Sequence, residues 1–223
     1  QLEEGVDRVD VTSRDGTTQI HVVLKKNPRK TGADLKVSVP SGSRIEVSTV
    51  SASIVQRGRF TSSQLRAVSG SGKVEGAGEE LEVRSISGSV EIAGGGTIAH
   101  TQTESVSGSI RARDVIGEFL AQTTSGSVGV SMPSAQRVRV RSVSGRAAIE
   151  ATLAPMARVE VESISGSADA RLRAEQGFSY DLSSFGASVN NCFAAGQKTG
   201  SVGGASGTVR MRTHSGSITL CDK

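Results

Sequence analysis

The sequence predicts an all-β fold, a single-stranded parallel β-helix (β-solenoid) with a right-handed coil. A unit of about 20 residues recurs about nine times, and apolar and polar side chains alternate within each unit. The composition agrees, because the 223 residues include 27 glycines, no tryptophan, one tyrosine and five phenylalanines, which suits a thin core. A unit this short cannot bury its apolar face alone, so we expect the units to stack as coils.

Residues 81–92, LEVRSISGSVEI, show the unit most clearly. Around its second serine, Ser87, apolar side chains lie four and six residues before and three residues after, and a hydroxyl lies two residues before. This period of two is typical of a strand with one buried face. We align nine serines at the position of Ser87, the reference position: Ser51, Ser71, Ser87, Ser107, Ser125, Ser144, Ser165, Ser184 and Ser215.

A glycine follows the reference serine in most units and separates a longer strand from a shorter one. We predict that these glycines form the corners of the coils, since glycine reaches φ > 0 without a Cβ clash and avoids crowding between successive coils. The predicted corner glycines are Gly72, Gly88, Gly108, Gly126, Gly145, Gly166 and Gly216.

Residues 1–40 lack the repeat. Two strands flank a turn at Arg14-Asp15-Gly16, which predicts a hairpin, and a short strand at 35–39 ends before Pro40. We therefore predict an N-terminal β-rich cap at 1–40 that joins the repeats at 41–223 in one continuous domain, and so covers the first coil's open edge.

The outward positions of neighbouring units carry opposite charges. In a parallel stack, Arg84 is expected to face Glu104, and Arg141 to face Glu162, which favours the correct strand register. Residues 190–208 interrupt the repeat and are rich in Gly, Ala and Ser, so we expect either a mobile loop or a binding loop there.

An apolar residue precedes the reference serine in several units, and the alternation points it outward. Two interpretations are open: a loop covers these side chains at the corner, or they form an exposed stripe that docks a partner. The residues are Val50, Ile86, Val106, Val143 and Ile164.

The two cysteines occupy equivalent positions in the last two units. Cys192 lies three residues after Val189, and Cys221 lies three residues after Ile218. Neighbouring parallel strands are about 4.8 Å apart, which is within the Cα separation that a disulfide accepts. We predict a disulfide between Cys192 and Cys221, with two reduced thiols as the alternative.

The sequence predicts no catalytic residues, cofactor or metal. The three histidines are far apart, and neither cysteine has metal-ligand spacing. A net charge of +4 without interleaved aromatics does not favour nucleic-acid binding. No run of about 18 apolar residues is present, so we expect no membrane-spanning segment.

The stretch VSVPSGSRIEVSTVSASI at 37–54, followed by repeated SxSGSV units, resembles the bacterial adhesin-like β-solenoid family of toast-rack domains. The resemblance implies an exported protein of the periplasm or cell surface without known catalysis. Our first hypothesis is therefore a non-enzymatic, adhesin-like surface for a protein or glycan. The alternatives are a regulatory or scaffold ectodomain that binds another envelope protein, and a glycan-active β-helical enzyme.

Overall fold

The computed structural model describes residues 6–25, 34–95, 97–186 and 188–223, and these residues form strands and no helix. The chain divides into two compact units, Gln1–Pro40 and Ser41–Lys223. The strands are β1 (Val6–Arg14), β2 (Thr17–Leu24), β3 (Ser43–Thr49), β4 (Ile54–Ala67), β5 (Gly72–Ala77), β6 (Glu80–Ser85), β7 (Val90–Ala93), β8 (His100–Ser105), β9 (Ile110–Arg113), β10 (Ile116–Thr123), β11 (Val128–Ser144), β12 (Ala147–Ser165), β13 (Ala168–Ala174), β14 (Phe178–Ser184), β15 (Val189–Asn191), β16 (Thr199–Val202), β17 (Gly207–Ser215) and β18 (Ile218–Cys221).

The first unit contains the predicted hairpin. Strands β1 and β2 pair antiparallel, and Asp15 and Gly16 form the turn with φ of 50° and 74°. Two positive φ values match the right-handed twist of the flanking strands. The predicted third strand at 35–39 is wrong, because these residues form no ladder, and a strand is held by its ladder bonds. The capping role and the hand of the coil remain predictions.

The second unit is the predicted parallel β-solenoid. Its seven regular coils, residues 43–174, each supply one strand segment to each of two parallel ladders. The first ladder runs β3-β4-β6-β8-β10-β11-β12, and the second runs β4-β5-β7-β9-β11-β12-β13. Strands β4, β11 and β12 are long enough to contribute to both ladders.

The core lies between the two ladders as columns of stacked side chains. Phe119, for example, lies between Thr101 and Val138 in register, and all three are buried. This burial follows from the period-two alternation, which turns each polar neighbour to the outside.

The C-terminal segment, residues 178–221, departs from the order of the sequence. Strand β17 pairs with β12 on one side and with β14 on the other. In the second ladder, β18 likewise lies between β13 and β15. The last strand pair of the chain is therefore inserted between the seventh coil and a terminal strand pair that precedes it in sequence. We expected nine coils in the order of the sequence. The structure has seven such coils, followed by two strand pairs in exchanged order.

The 190–208 segment, expected as a mobile or a binding loop, contains a strand and packs on the end of the solenoid, and binding by it remains a prediction. Strand β16 within it pairs antiparallel with β14 and closes the end of the first ladder. Phe193 packs edge-on against the buried ring of Phe178, with ring centroids 5.4 Å apart. The side-chain oxygen of Asn191 accepts hydrogen bonds from the amides of Phe193 and Ala194, which fixes the turn between them. Large rings suit this position, since they fill the end of the core.

Two units have a register that differs from our alignment by two residues. Ala67 pairs with Ser85, so the reference position of the second coil is Ser69 and its corner glycine is Gly70. Gly72 is not a corner residue, because it lies in β5 and pairs with Ile54 and Val90. In the terminal pair, Ser184 lies opposite Thr213, so Gly186 holds the reference position there.

Candidate interaction surface

An exposed apolar stripe runs along one corner of the stack. It contains the five predicted residues Val50, Ile86, Val106, Val143 and Ile164, each exposed by at least 44%. The alternative that a loop covers them is therefore wrong for the structure described.

The corrected register extends the stripe. Val68 is the stripe residue of the second coil. Its amide donates to the carbonyl of Thr49 in the preceding coil, as the amide of Ile86 donates to the carbonyl of Ala67. Thr124, His214 and Phe185 hold the equivalent positions in the remaining strand pairs. The segment AVSG at 67–70, which matches SISG at 85–88, is the sequence signal that could have revealed Val68. In spatial order the stripe reads Val50, Val68, Ile86, Val106, Thr124, Val143, Ile164, His214 and Phe185.

The stripe ends in an aromatic pair that the exchanged strand order creates. The Phe185 ring is 85% exposed and stacks on the His214 imidazole, with centroids 5.3 Å apart and planes at 7°. These residues are 29 positions apart in sequence, and they meet because β17 lies beside β14. Exposed aromatic rings are frequent anchors of protein interfaces.

The corner beside the stripe is held by close backbone packing. A Cβ atom on Gly88 would lie 1.8 Å from the carbonyl oxygen of Gly70, and one on Gly108 would lie 1.9 Å from that of Gly88. Gly126, Gly145, Gly166 and Gly216 are packed in the same way, at 2.0 to 2.2 Å. Among these corner glycines only Gly145 and Gly216 have positive φ. Of the two predicted reasons, positive φ therefore applies to only two of these glycines, whereas crowding between successive coils is confirmed as the common cause.

Hydroxyl groups complete the corner. The side chain of Ser87 donates to the carbonyl of Val68, one coil earlier, and Ser107 donates to that of Ile86. Inside the corner, the buried hydroxyl of Ser85 accepts from the amide of Gly88, three residues later. The serines of the repeat thus hold the backbone that carries the stripe, which fixes the side chains of the stripe on a rigid edge.

A partly charged column flanks the stripe, two residues before it in each coil, and in spatial order it reads Ser48, Arg66, Arg84, Glu104, Gln122, Arg141, Glu162, Arg212 and Ser183. Its signs alternate from Arg84 to Glu104 and from Arg141 to Arg212, whereas Arg66 and Arg84 are neighbours of like charge. The expected pairs Arg84–Glu104 and Arg141–Glu162 are present, at 3.2 Å and 2.9 Å. The next column outward contains Arg139, whose Nε donates to Glu160 at 2.8 Å and holds the pKa of that carboxyl below its usual value. The charges in these pairs are neutralised within the chain, whereas the stripe beside them is apolar and exposed.

A shallow groove of about 310 Å³ lies farther along the same ladder, lined by Glu118, Gln136, Arg137, Pro155, Met156 and Arg158. An irregularity in the pairing of β11 with β12 creates it, because four residues of β12, 154–157, lie opposite Gln136 alone, and Met156 has a φ of 60°. Arg137 and Arg158 lie side by side in register. Arg137 is 3.6 Å from Glu118, whereas Arg158 makes no ion pair with any described residue.

The predicted disulfide is present. Cys192 and Cys221 are bonded, with Cα atoms 4.8 Å apart, and they continue the ladder in which Asn191 pairs with Leu220. In the chain-entropy model a loop of about 30 residues stabilises the fold by roughly 3 to 4 kcal/mol. A disulfide fits an extracytoplasmic location, where oxidising conditions preserve it.

Among the described residues, no three His, Cys, Asp or Glu side chains form a cluster that could hold a metal ion. Nor does the described part of the chain contain a helix with the length and apolar character of a membrane span.

Comparison with known proteins identifies the family and nothing closer. A search of curated proteins and a search of solved structures each found no match. The family model Toastrack DUF4097 matches residues 7–221, almost the whole chain and both of its units. This coverage agrees with the resemblance seen in the repeats, and the chain therefore belongs to the Toastrack DUF4097 family, whose function is unknown.

Proposed function

We propose that the protein is a non-enzymatic interaction module of the bacterial cell envelope, and that it binds a protein through the apolar stripe. One observation carries the proposal: the side chains of the stripe are β-branched or aromatic almost throughout, and all are exposed. A soluble chain exposes single apolar residues at random, whereas a contiguous row of them is typical of an interaction site.

The shape of the stripe favours a protein as the ligand. Its nine positions are separated by eight steps of about 4.8 Å, which gives a length of about 38 Å. Small ligands are usually bound in concave pockets, and the stripe is a convex edge. A long, narrow apolar edge with a charged column beside it has the anatomy of a protein interface, in which polar groups surround an apolar centre.

The disulfide supports the envelope location. The chain has two cysteines, and both are used in this one bond. Such use of cysteine is typical of exported proteins rather than of cytosolic ones. The rigid stack would then present its stripe outside the cytoplasm.

Site-specific photo-crosslinking in living cells tests the proposal. A benzophenone amino acid at Ile86 or Val143 is expected to capture a protein, because both positions lie on the stripe. The matched control is Val55, which is similarly exposed but lies in β4 on the second ladder. Crosslinks at Ile86 and Val143 that are absent at Val55 support the proposal, whereas equal labelling at all three positions, or none, contradicts it.

The groove beside Arg158 supports a second function, binding of an acidic glycan. Arg137 and Arg158 lie directly opposite each other, and such like charges destabilise a sheet unless an anion lies between them. The irregularity beside them resembles the bulges that often re-aim side chains at binding sites. Arg137 and Arg158 could share a sugar carboxylate, for which the arginine fork is well suited, while Met156 and Pro155 would contact the sugar ring. Calorimetry with oligogalacturonate tests this function: saturable binding that Arg158→Gln abolishes and Arg173→Gln leaves intact supports it, and no binding contradicts it.

A further inference from the structure

We propose that the partner of the apolar stripe is a second copy of this chain, packed antiparallel about a two-fold axis at Thr124. This inference rests on the proposed function of the stripe and names the partner. It follows from three properties of the stripe: its spacing, its order of side chains and the charges beside it.

The spacing of the stripe matches itself and matches other protein surfaces less well. Successive stripe residues are one strand separation apart, about 4.8 Å. Side chains on one face of an extended strand repeat at about 6.8 Å, and a helix repeats at about 5.4 Å per turn. Over about 38 Å, the side chains of a strand or of a helix would therefore fall out of register with those of the stripe. A second solenoid has the identical repeat and stays in register over the full length.

The order of side chains is nearly symmetric about Thr124, the fifth of the nine positions. Reversing the stripe places Val106 opposite Val143 and Ile86 opposite Ile164. Thr124 then lies opposite its own copy. Each side chain near the centre thus meets one of the same size, which is the self-complementarity that an isologous two-fold interface requires.

The outer positions follow the same pairing. Val68 would meet His214, and Val50, which is 71% exposed, would meet the ring of Phe185. The most exposed aliphatic residue of the stripe would therefore cover its most exposed aromatic residue. Burying both ends removes the largest apolar areas of the stripe from water.

The flanking charges favour the antiparallel arrangement. A two-fold axis perpendicular to the stack brings the charged column of one copy against the same column of the other, in reversed order. Arg84 then faces Glu162, and Glu104 faces Arg141, so both central pairs join opposite charges. A two-fold axis along the stack would instead bring the charged column of each copy against the opposite flank of the partner's stripe, where this column is absent.

One flanking pair joins like charges, Arg66 and Arg212. Each already has a carboxylate in its own chain: Arg66 is 2.9 Å from Glu46, and Arg212 is 3.9 Å from Asp181. The repulsion between these two exposed arginines is therefore largely offset.

The available area is sufficient for a stable contact. A standard interface buries roughly 800 Å² on each partner, which a contact about 38 Å long reaches at a width of about 20 Å. The stripe and one outward column on each side span about 14 Å between their outer backbones, at about 6.8 Å per column, and the exposed side chains widen this surface further. The contact can therefore form with no change in the fold.

A cysteine at the proposed axis tests the inference. Both native cysteines are bonded to each other, so Thr124→Cys supplies a single free thiol. In the proposed dimer the two thiols lie beside each other, and we expect rapid formation of an intermolecular disulfide. Val55→Cys, which is exposed away from the stripe, is the matched control and is expected to stay monomeric.

Sedimentation of the unmodified protein completes the test. We expect a concentration-dependent dimer whose affinity falls at least tenfold in Ile86→Asp, with an unchanged melting temperature. A protein that stays monomeric at several hundred micromolar, or equal crosslinking of the two cysteine variants, contradicts the inference. If the protein is monomeric but Ile86 still captures a different protein in cells, the second-copy inference is wrong and the proposed function stands.

Discussion

The seven regular coils and the C-terminal segment use the same pair of strands but connect them in different orders. In residues 43–174 each coil packs on the one before it. In residues 178–221 the chain first builds the terminal strand pair and then returns to fill the gap before it. The regular coils need only local connections and close backbone contact, whereas the C-terminal order also depends on long-range charge pairs and the disulfide.

The charges show why the exchanged order is favourable. In the first ladder, Arg139, Glu160, Arg210 and Asp181 follow one another on adjacent strands, so their signs alternate. In the order of the sequence, Glu160 would lie against Asp181. Inserting β17 places an arginine between these two carboxylates and removes a like-charge contact.

The close packing of the regular coils gives the largest expected effect. Gly108→Ala would place a Cβ atom 1.9 Å from a backbone oxygen of the preceding coil, so the two coils must separate. We expect the free energy of unfolding to fall by about 4 kcal/mol or more, measured by urea denaturation.

Gly72→Ala is the matched control, because its Cβ atom would meet only Val83 Cγ1, at the ordinary distance of 3.6 Å. We expect a change between zero and a gain of about 1 kcal/mol, since alanine restricts the unfolded chain. Equal losses in the two variants would show that the glycine corner has been placed in the wrong register.

The disulfide should matter most for the C-terminal segment. Replacing Cys192 and Cys221 by serine is expected to lower the free energy of unfolding by about 3 to 4 kcal/mol. Hydrogen exchange should accelerate in β14, β15, β17 and β18 and remain slow in β6 and β8, because the bond joins the inserted strand pair to the terminal strand pair. Uniform acceleration across all strands would contradict a local role for the bond.

Reversing one charge tests the alternation in the C-terminal ladder. Arg210→Glu would put three carboxylates in a row, and we expect a loss of about 1 kcal/mol in the free energy of unfolding. Adding Asp181→Arg should restore part of this loss, because the alternation on that side returns. Arg173→Glu is the control, since Arg173 is exposed and makes no ion pair with a described residue; a loss as large as that of Arg210→Glu would point to net charge alone.

The smallest effect concerns acid stability of the regular coils. Hydrogen bonds from Lys73 and Arg57 lower the pKa of Glu75 to about 2. A lowered pKa contributes stability above the unfolded value of about 4.5, and this contribution disappears as the pH falls toward 2. The melting temperature of Glu75→Gln should therefore lie below that of the unmodified protein at pH 6 and converge with it at pH 2. A constant difference across this range would contradict the prediction, and Glu175→Gln serves as the control.

Most of the fold could be predicted because the buried face repeats with a period of two. The same period explains the errors at Gly72 and Ser184. A slip of one residue turns every side chain to the wrong face, but a slip of two leaves all faces correct and is therefore hard to detect. The repeated Ser-Gly of SGSG at 69–72 allowed such a slip, and this hid Val68 from the predicted stripe.

The exchanged order could not be predicted from the repeats, because β14 and β17 have equivalent patterns and either fits beside β12. The juxtaposition of Glu160 with Asp181 in sequence order was the available signal. The prediction of the disulfide succeeded because it required only that the two strand pairs be neighbours, and exchanging their order keeps them neighbours.

Engineered disulfides between outward positions test the exchanged order most directly, and with it the join between Ile164, His214 and Phe185 that completes the stripe. Glu162 lies opposite Arg212, whereas Ser183 lies beyond Arg212 and two strand separations from Glu162, about 9.6 Å. Only the first pair is within the roughly 4.4 to 6.8 Å that a disulfide accepts. Peptide mapping without reduction should find the new bond in Glu162→Cys/Arg212→Cys and not in Glu162→Cys/Ser183→Cys. The opposite result would mean that the strands stack in the order of the sequence.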